Sequence, residues 1–244
     1  MTFQRFIFAT DLHGDMADAG TCEALLQFKR EFDPHITIFG GDAFDFRGLR
    51  RGAAAAEQAE SMRSDVDSGL RFLESFRPDY FLRGNHDERL WELAQYGQGI
   101  TADYAQHGVA DITKRCASMR CKILPYDKRK GILKIGNVNF LHGFHCGITA
   151  TRQHALTYGE CIHGHTHTID SARVAGIEKR TARSVGCLCR LDMPYNSRMP
   201  SSLRHAHGWA YGLIDIKTGA AQIFQAEKFG DKNEWLLPTK LQKF

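Results

Sequence analysis

The chain has 244 residues, 43% of them hydrophobic and 25% charged, with a surplus of four positive charges. That composition is of an ordinary globular protein with room for one substantial core, and it excludes collagen-like and disordered chains. The longest apolar runs fall far short of a membrane span, and so mild a positive balance permits an anionic substrate without establishing a nucleic-acid partner.

One domain over residues 1–244 is expected, since no linker, repeat or low-complexity segment interrupts the chain. Met1-Thr2-Phe3-Gln4-Arg5 runs straight into a strand, which argues against a cleavable leader and for the cytoplasm. The seven cysteines, at 22, 116, 121, 146, 161, 187 and 189, form no CxxC pair. They read as reduced, mostly buried thiols.

Residues 4–10 are rich in β-formers and predict a first strand, which ends in Asp11-Leu12-His13-Gly14-Asp15. In an extended segment residues two apart face the same side, so Asp11 and His13 suit one metal ion. A helix is expected over 16–31, with Ala19, Cys22, Leu25, Leu26 and Phe28 on its inner face. The next strand, His35 to Phe39, leaves through Gly40 and Gly41 into Asp42-Ala43-Phe44-Asp45. Side chains there stand at the carboxyl end of a strand, where α/β folds bind ligands. Asp42 is well placed to bridge two cations. Residues 52–76 predict the longest helix, with Met62, Val66, Leu70 and Leu73 along it. Arg47, Arg50 and Arg51 precede it, either as a solvated helix start or at a site mouth in contact with an anion.

A third strand, Asp79 to Arg83, ends in Gly84-Asn85-His86-Asp87. Strands alternating with helices to this point argue a βαβ layout. Residues 86–117 read as helical with a break at Gly97-Gln98-Gly99. Two or three strands follow over 119–141 around the basic turn Asp127 to Gly131, read as a surface hairpin, with a nucleic-acid contact as the rival. Asn137 to Leu141 leads into His142-Gly143. A short helix over 148–158 and a strand from Glu160 lead into His163-Gly164-His165-Thr166-His167, where the two-apart spacing recurs. Two strands are expected over 170–190, then a hairpin of 208–216 and 220–228. Pro194 to His207 reads as an irregular loop carrying Arg198, Arg204, His205 and His207, either an exposed polar loop or a substrate-side wall.

Five segments therefore end alike, in an apolar run followed by Asp, Asn or His. The inventory is Asp11, His13, Asp42, Asn85, His142, His165 and His167. Carboxylate, amide and imidazole donors together suit manganese, iron, zinc or nickel rather than magnesium alone. Seven such residues, one of them shared, are about right for two adjacent divalent ions.

The blocks Asp-x-His, Gly-Asp-x-x-Asp, Gly-Asn-His-Asp, His-Gly and Gly-His-x-His, in that order between residues 11 and 167, resemble the calcineurin-like metallophosphoesterase superfamily. The resemblance implies an α/β fold, a four-layer α/β/β/α sandwich of two mixed β-sheets flanked by helices. It implies two divalent metal ions, manganese first. Asp11, His13, Asp42 and His167 would hold one; Asp42, Asn85, His142 and His165 would hold the other. A metal-bridging hydroxide would attack phosphorus in line. His86 would contact the phosphate and protonate the leaving group, with Asp45 orienting it and keeping it charged. Arg47, His145 and Arg204 are candidate substrate contacts, and Asp15 and Asp87 candidate supporting residues.

One departure bears on substrate. Protein phosphatases of the superfamily carry Asp-Arg-Gly where this chain has Asp45-Phe46-Arg47-Gly48, so the phosphate-binding arginine falls one position late. The expectation is a phosphodiesterase acting on nucleotides or nucleic acid, with a phosphomonoesterase or protein phosphatase as the alternative. A non-catalytic scaffold of the same fold is more distant, because every ligand position is filled. A lipid-precursor pyrophosphatase is disfavoured by the lack of an apolar lid over 97–130.

Overall fold

Alternation along the first strand sets the layering. In β1 (Phe3–Ala9) Phe6 and Phe8 face one way and Ile7 and Ala9 the other, and all four are fully buried. A strand apolar on both faces needs a layer on each side. The structure is a computed structural model that describes residues 2–53, 55–59, 61–178, 180–193, 200–230 and 233–237.

β1 lies in a seven-stranded sheet with β2 (Ile36–Phe39), β3 (Tyr80–Leu82), β4 (Lys122–Leu124), β10 (Gly208–Asp215), β11 (Ala221–Phe229) and β12 (Glu234–Trp235), ordered β12-β11-β10-β1-β2-β3-β4. β1 to β4 run parallel, and β10 pairs antiparallel with β1, Phe8 opposite Ala210. The second sheet contains β5 (Leu133–Ile135), β6 (Val138–Leu141), β7 (Cys161–His163), β8 (Ile169–Arg173) and β9 (Thr181–Val185), ordered β5-β6-β7-β9-β8. Between the sheets Phe6, Phe8, Ile38 and Leu82 pack on Val138, Phe140, Ile162 and Val185. Phe6 meets Phe140 edge-on at 5.2 Å.

Helices cover the outer faces. α1 (Ala19–Phe32), α3 (Arg63–Phe76), α4 (Asn85–Tyr96) and α5 (Gly99–Ser118) lay Phe28, Leu73, Phe76, Leu90 and Ile112 on Ile7, Phe39, Phe81 and Trp209 of the seven-stranded sheet. Each such side chain contributes about 1.5–3 kcal/mol on burial. α6 (Ala150–Tyr158) covers the smaller sheet, where Ala155 joins Leu141, Cys161 and Ala182. The fold is the expected α/β/β/α sandwich of two mixed sheets. No described helix is long and apolar enough to cross a membrane.

Two local expectations need correction. Residues 52–76 are not one helix but include α2 (Ala55–Ala59) and α3, and the longest described helix is α5, with 20 residues. α2 buries no side chain, whereas α3 has a buried apolar face to hold it. The basic turn at 127–131 is not a hairpin. β4 and β5 on its flanks belong to different sheets, so it is the crossover between them. The hairpin is β5–β6, which turns through Gly136 at φ 57°. The expected β10–β11 hairpin is present.

Candidate metal centre

The five polar blocks leave β1, β2, β3, β6 and β7 at their carboxyl ends, and strand pairing brings those ends together. Asp11, His13, Asp42, His165 and His167 all adopt left-handed backbone, with φ between 51° and 68°. Such a conformation costs an L-residue about 1–2 kcal/mol and persists only where surrounding contacts fix it. Here they do: Asp11 N–H donates to Gly41 O, and the N–H groups of Leu12 and His13 to Asp42 O, each at 2.9 Å. Asp11 and His13 thus share a side because tight turns aim them. The extended alternation expected from their spacing is absent.

Two of the donor groups that result share Asp42. The potential ligand atoms of Asp11, His13 and Asp42 lie within 4.8 Å of one another, as do those of Asp42, His142 and His165. Asp42 belongs to both. Its Oδ2 is 3.8 Å from His13 Nε2 and 3.3 Å from His142 Nε2. His167 Nε2 stands 3.3 Å from Asp11 Oδ1, and Asn85 Oδ1 lies 3.0 Å from His142 Nε2. All seven predicted residues are therefore brought together.

This donor set fits divalent cations. His13 and His167 point their Nε2 atoms at each other at 3.1 Å inside a buried cluster, an arrangement a shared cation would satisfy. The carboxyls are held ionised: burial opposes ionisation of Asp11, yet His167 and His142 bring its pKa down to about 2. Burial likewise opposes charge on His142, but Asp42 raises it to about 9. Positive charge is already drawn to this point before any ion is added.

Two buried carboxylates hold the loop that carries Asp42 and Asp45. Asp87 accepts the N–H groups of Asp42 (2.7 Å), Gly84 (2.8 Å) and Phe44 (3.0 Å). Asp65, on α3, accepts those of Asp45 (2.9 Å) and Phe46 (2.7 Å). Close packing leaves no room for extra atoms. A Cβ on Gly84 would lie 2.1 Å from Asp42 Oδ1.

His86 stands beside this cluster, with its Nδ1 2.6 Å from Asp45 Oδ1, which also lies 3.2 Å from His13 Nδ1. Its Nε2 is 4.0 Å from Asp42 Oδ2. Burial pulls the His86 pKa below its ordinary value, while Asp42 and Asp45 pull it up. His86 faces a cavity of about 270 Å³, lined also by His13, Asp42, Asp45, His165, His167, His205, Glu57 and the arginines 47, 50 and 89.

The substrate candidates fare unequally. Arg47 lines the cavity but is gripped by Asp15, at 2.7 and 3.0 Å. His145 turns away, towards Thr157 Oγ1 (3.4 Å) and the His154 ring. Arg204 is also outside the lining and lies 3.8 Å from Asp170. A 3-10 turn over Pro200–Arg204 carries it away, while His205 bridges to Thr168 and faces the cavity. Arg198 lies outside the described residues.

Sequence reasoning missed Asp65 and Arg89, and named His205 only as part of a loop read as either exposed or a substrate-side wall. The two missed residues had a legible signal. Asp65 falls in line with Gly69, Phe72 and Phe76 on the buried face of α3, an odd position for a carboxylate. Arg89 is three residues after His86 and so shares its helical face.

The geometry can be set beside known proteins. Residues 4–181 match the family model of calcineurin-like phosphoesterases. No curated protein sequence matches. Among solved structures, the chain is similar to a conserved uncharacterized protein of Streptococcus pneumoniae TIGR4, described as a predicted phosphoesterase, with 14% identity over 92% of this chain and 98% of that one and a TM-score of 0.38. The phosphoesterase Yfce of E. coli aligns with 13% identity over 89% and 96% of the two chains and a TM-score of 0.35. A novel phosphatase of Mycoplasma pneumoniae aligns with 12% identity over 91% and 92%, at 0.44. These likenesses are distant and carry no argument here. The family model spans most of the chain and all five polar blocks, so the chain belongs to the calcineurin-like phosphoesterases and is a metal-dependent phosphoric ester hydrolase.

Proposed function

We propose that the protein is a phosphodiesterase that uses two divalent ions, manganese first among manganese, iron, zinc and nickel, to cleave nucleotides or nucleic acid in the cytoplasm. The observation that carries this reading is Asp42, shared by two donor groups beside the His86–Asp45 pair in a cavity with three arginines. Asp11, His13, Asp42 and His167 would hold one ion, and Asp42, Asn85, His142 and His165 the other. Bound there, the ions supply Lewis acidity: they lower the pKa of a water and neutralise charge on the phosphate.

The chain's own residues do the rest. Asp45 holds His86 Nδ1, which turns Nε2 to the cavity. From there the imidazolium form of His86, which Asp42 and Asp45 favour, would give its Nε2 proton to the departing oxygen. Burial of the cluster keeps the donors fixed before substrate arrives. The diester preference rests on charge. Arg47, the one arginine near the superfamily's phosphate-clamping position, is occupied by Asp15. With Arg47 so engaged, the site would offer less cationic surface than a monoester dianion requires, whereas a diester monoanion needs less.

Hydrolysis of bis-p-nitrophenyl phosphate and p-nitrophenyl phosphate with added manganese tests this reading. The diester should be cleaved faster. His86→Ala should lose about 10²–10⁴-fold while keeping its metals. Activity on the monoester alone would replace the reading with a phosphatase, and a protein that binds no metal and cleaves neither would revive the scaffold.

A further inference from the structure

The three cavity arginines are not equivalent. Arg47 is held by both oxygens of Asp15. Arg50 donates to both oxygens of Glu57, at 3.0 and 2.7 Å. Arg89 has no carboxylate partner among the described residues. Its one hydrogen bond among them, Nη1 to the carbonyl oxygen of Asp45 at 2.8 Å, gives it no carboxylate to offset its charge. A half-buried arginine in that state is a poor structural choice and a good anion receptor.

Its location narrows the anion. Arg89 follows His86 by three residues on α4, so the two side chains share a helical face. Both meet Asp45, His86 at the carboxylate and Arg89 at the carbonyl. His86 addresses the oxygen that departs. Whatever that oxygen remains attached to must therefore pass Arg89.

We infer that Arg89 reads the leaving group and selects phosphodiesters whose leaving group carries a second phosphate, as the next nucleotide of a strand or a phosphorylated nucleoside does. This rests on the phosphodiesterase reading above and adds to it the side on which extra charge is recognised. A neutral leaving group would forgo the contact. A charge-assisted hydrogen bond of this kind corresponds to about 10–100-fold in specificity.

The test uses three dinucleotides and the manganese-loaded protein: TpT, with one phosphodiester, and pTpT and TpTp, with an added terminal phosphate. In the wild type one of the phosphorylated dinucleotides should exceed TpT in kcat/KM by about 10-fold or more. Arg89→Ala should abolish that ratio, Arg89→Lys should keep part of it, and Arg50→Ala should keep it. The ratio should also shrink with added salt. A merely structural Arg89 would slow all three substrates together and leave the ratio intact. That result, or equal cleavage of the three by the wild type, overturns the inference alone. Cleavage of bis-p-nitrophenyl phosphate with all three dinucleotides untouched overturns it together with the nucleotide reading.

Discussion

The two halves of the metal centre are held in place by different chemistry. The half from the seven-stranded sheet is locked through its backbone. Asp87 and Asp65, on α4 and α3, accept five N–H groups of residues 42–46 and Gly84. The half from the five-stranded sheet has its rings oriented instead. His142 Nδ1 meets Gly40 O at 2.8 Å, His167 Nδ1 meets Cys189 Sγ at 3.8 Å, and the N–H of His165 donates to Asp11 at 2.9 Å. Two of those three partners belong to the first half. Hydrogen bonds to a carboxylate are about twice as strong as neutral ones. The first half is thus built to stand alone, and the second is built against it.

Breaking the first half should therefore cost most. Asp87→Ala strands three buried N–H groups, each worth about 1–3 kcal/mol when left unsatisfied. A loss of about 3–5 kcal/mol is expected, and metal should be lost from both groups because Asp42 serves both. Denaturant unfolding and metal analysis check this. An Asp87→Ala protein that retains its metals would end the comparison. Gly84→Ala comes next. Its Cβ would press on Asp42 Oδ1 and on Asp42 N, 2.6 Å away. We expect about 1–3 kcal/mol from overpacking and about 10–100-fold weaker manganese binding, read by chelator competition.

The sequence disclosed what these substitutions act on, but not what holds it. The five polar blocks and the βα alternation were legible because strand exits through glycine repeat one local pattern. The seven donors followed from residue type. Asp65 showed only as a carboxylate out of place on an apolar helix face; its role was hidden, since its partners are backbone N–H groups twenty residues away, which no side-chain pattern reports. Arg204 read as one of three candidate substrate contacts, beside Arg47 and His145. Only tertiary structure shows that His205 takes that place and that Arg204 turns to Asp170. The left-handed turns at Asp11 and His13 were hidden for a related reason. Their conformation is imposed by the carbonyl partners Gly41 and Asp42, in the loop that follows β2, and not by local propensity.

A smaller effect probes the Asp65 clamp by pH, on top of that of Asp87, which burial raises as well, to about 7. Burial, with the charges of Asp45 and Asp15, raises Asp65 from 3.8 to about 6. The folded state thus binds this proton more tightly than the unfolded state. The associated stability is present below pH 3.8 and lost as pH rises to 6, about 3 kcal/mol in all. Asp65→Asn has no such titration. Although it weakens the clamp at every pH, its deficit relative to wild type should shrink by about that amount between pH 4 and pH 7. Unfolding of chelator-treated protein at the two pH values measures it, and a constant deficit would show that Asp65 is not protonated in the fold.

Cys189→Ala should matter least, and it probes the dependence of the second half on the first. The substitution removes one thiol partner of His167, leaving the neighbouring Cys187, Asp11 and the packed ring of His13 to hold it. Since a hydrogen bond to an uncharged partner contributes about 1 kcal/mol, manganese binding should weaken only about 3–10-fold, with Cys189→Ser closer to wild type. The same chelator competition used for Gly84→Ala gives the ranking directly. If Cys189→Ala proves the more damaging of the two, His167 is held by the thiol and not by Asp11, and the five-stranded half supports itself.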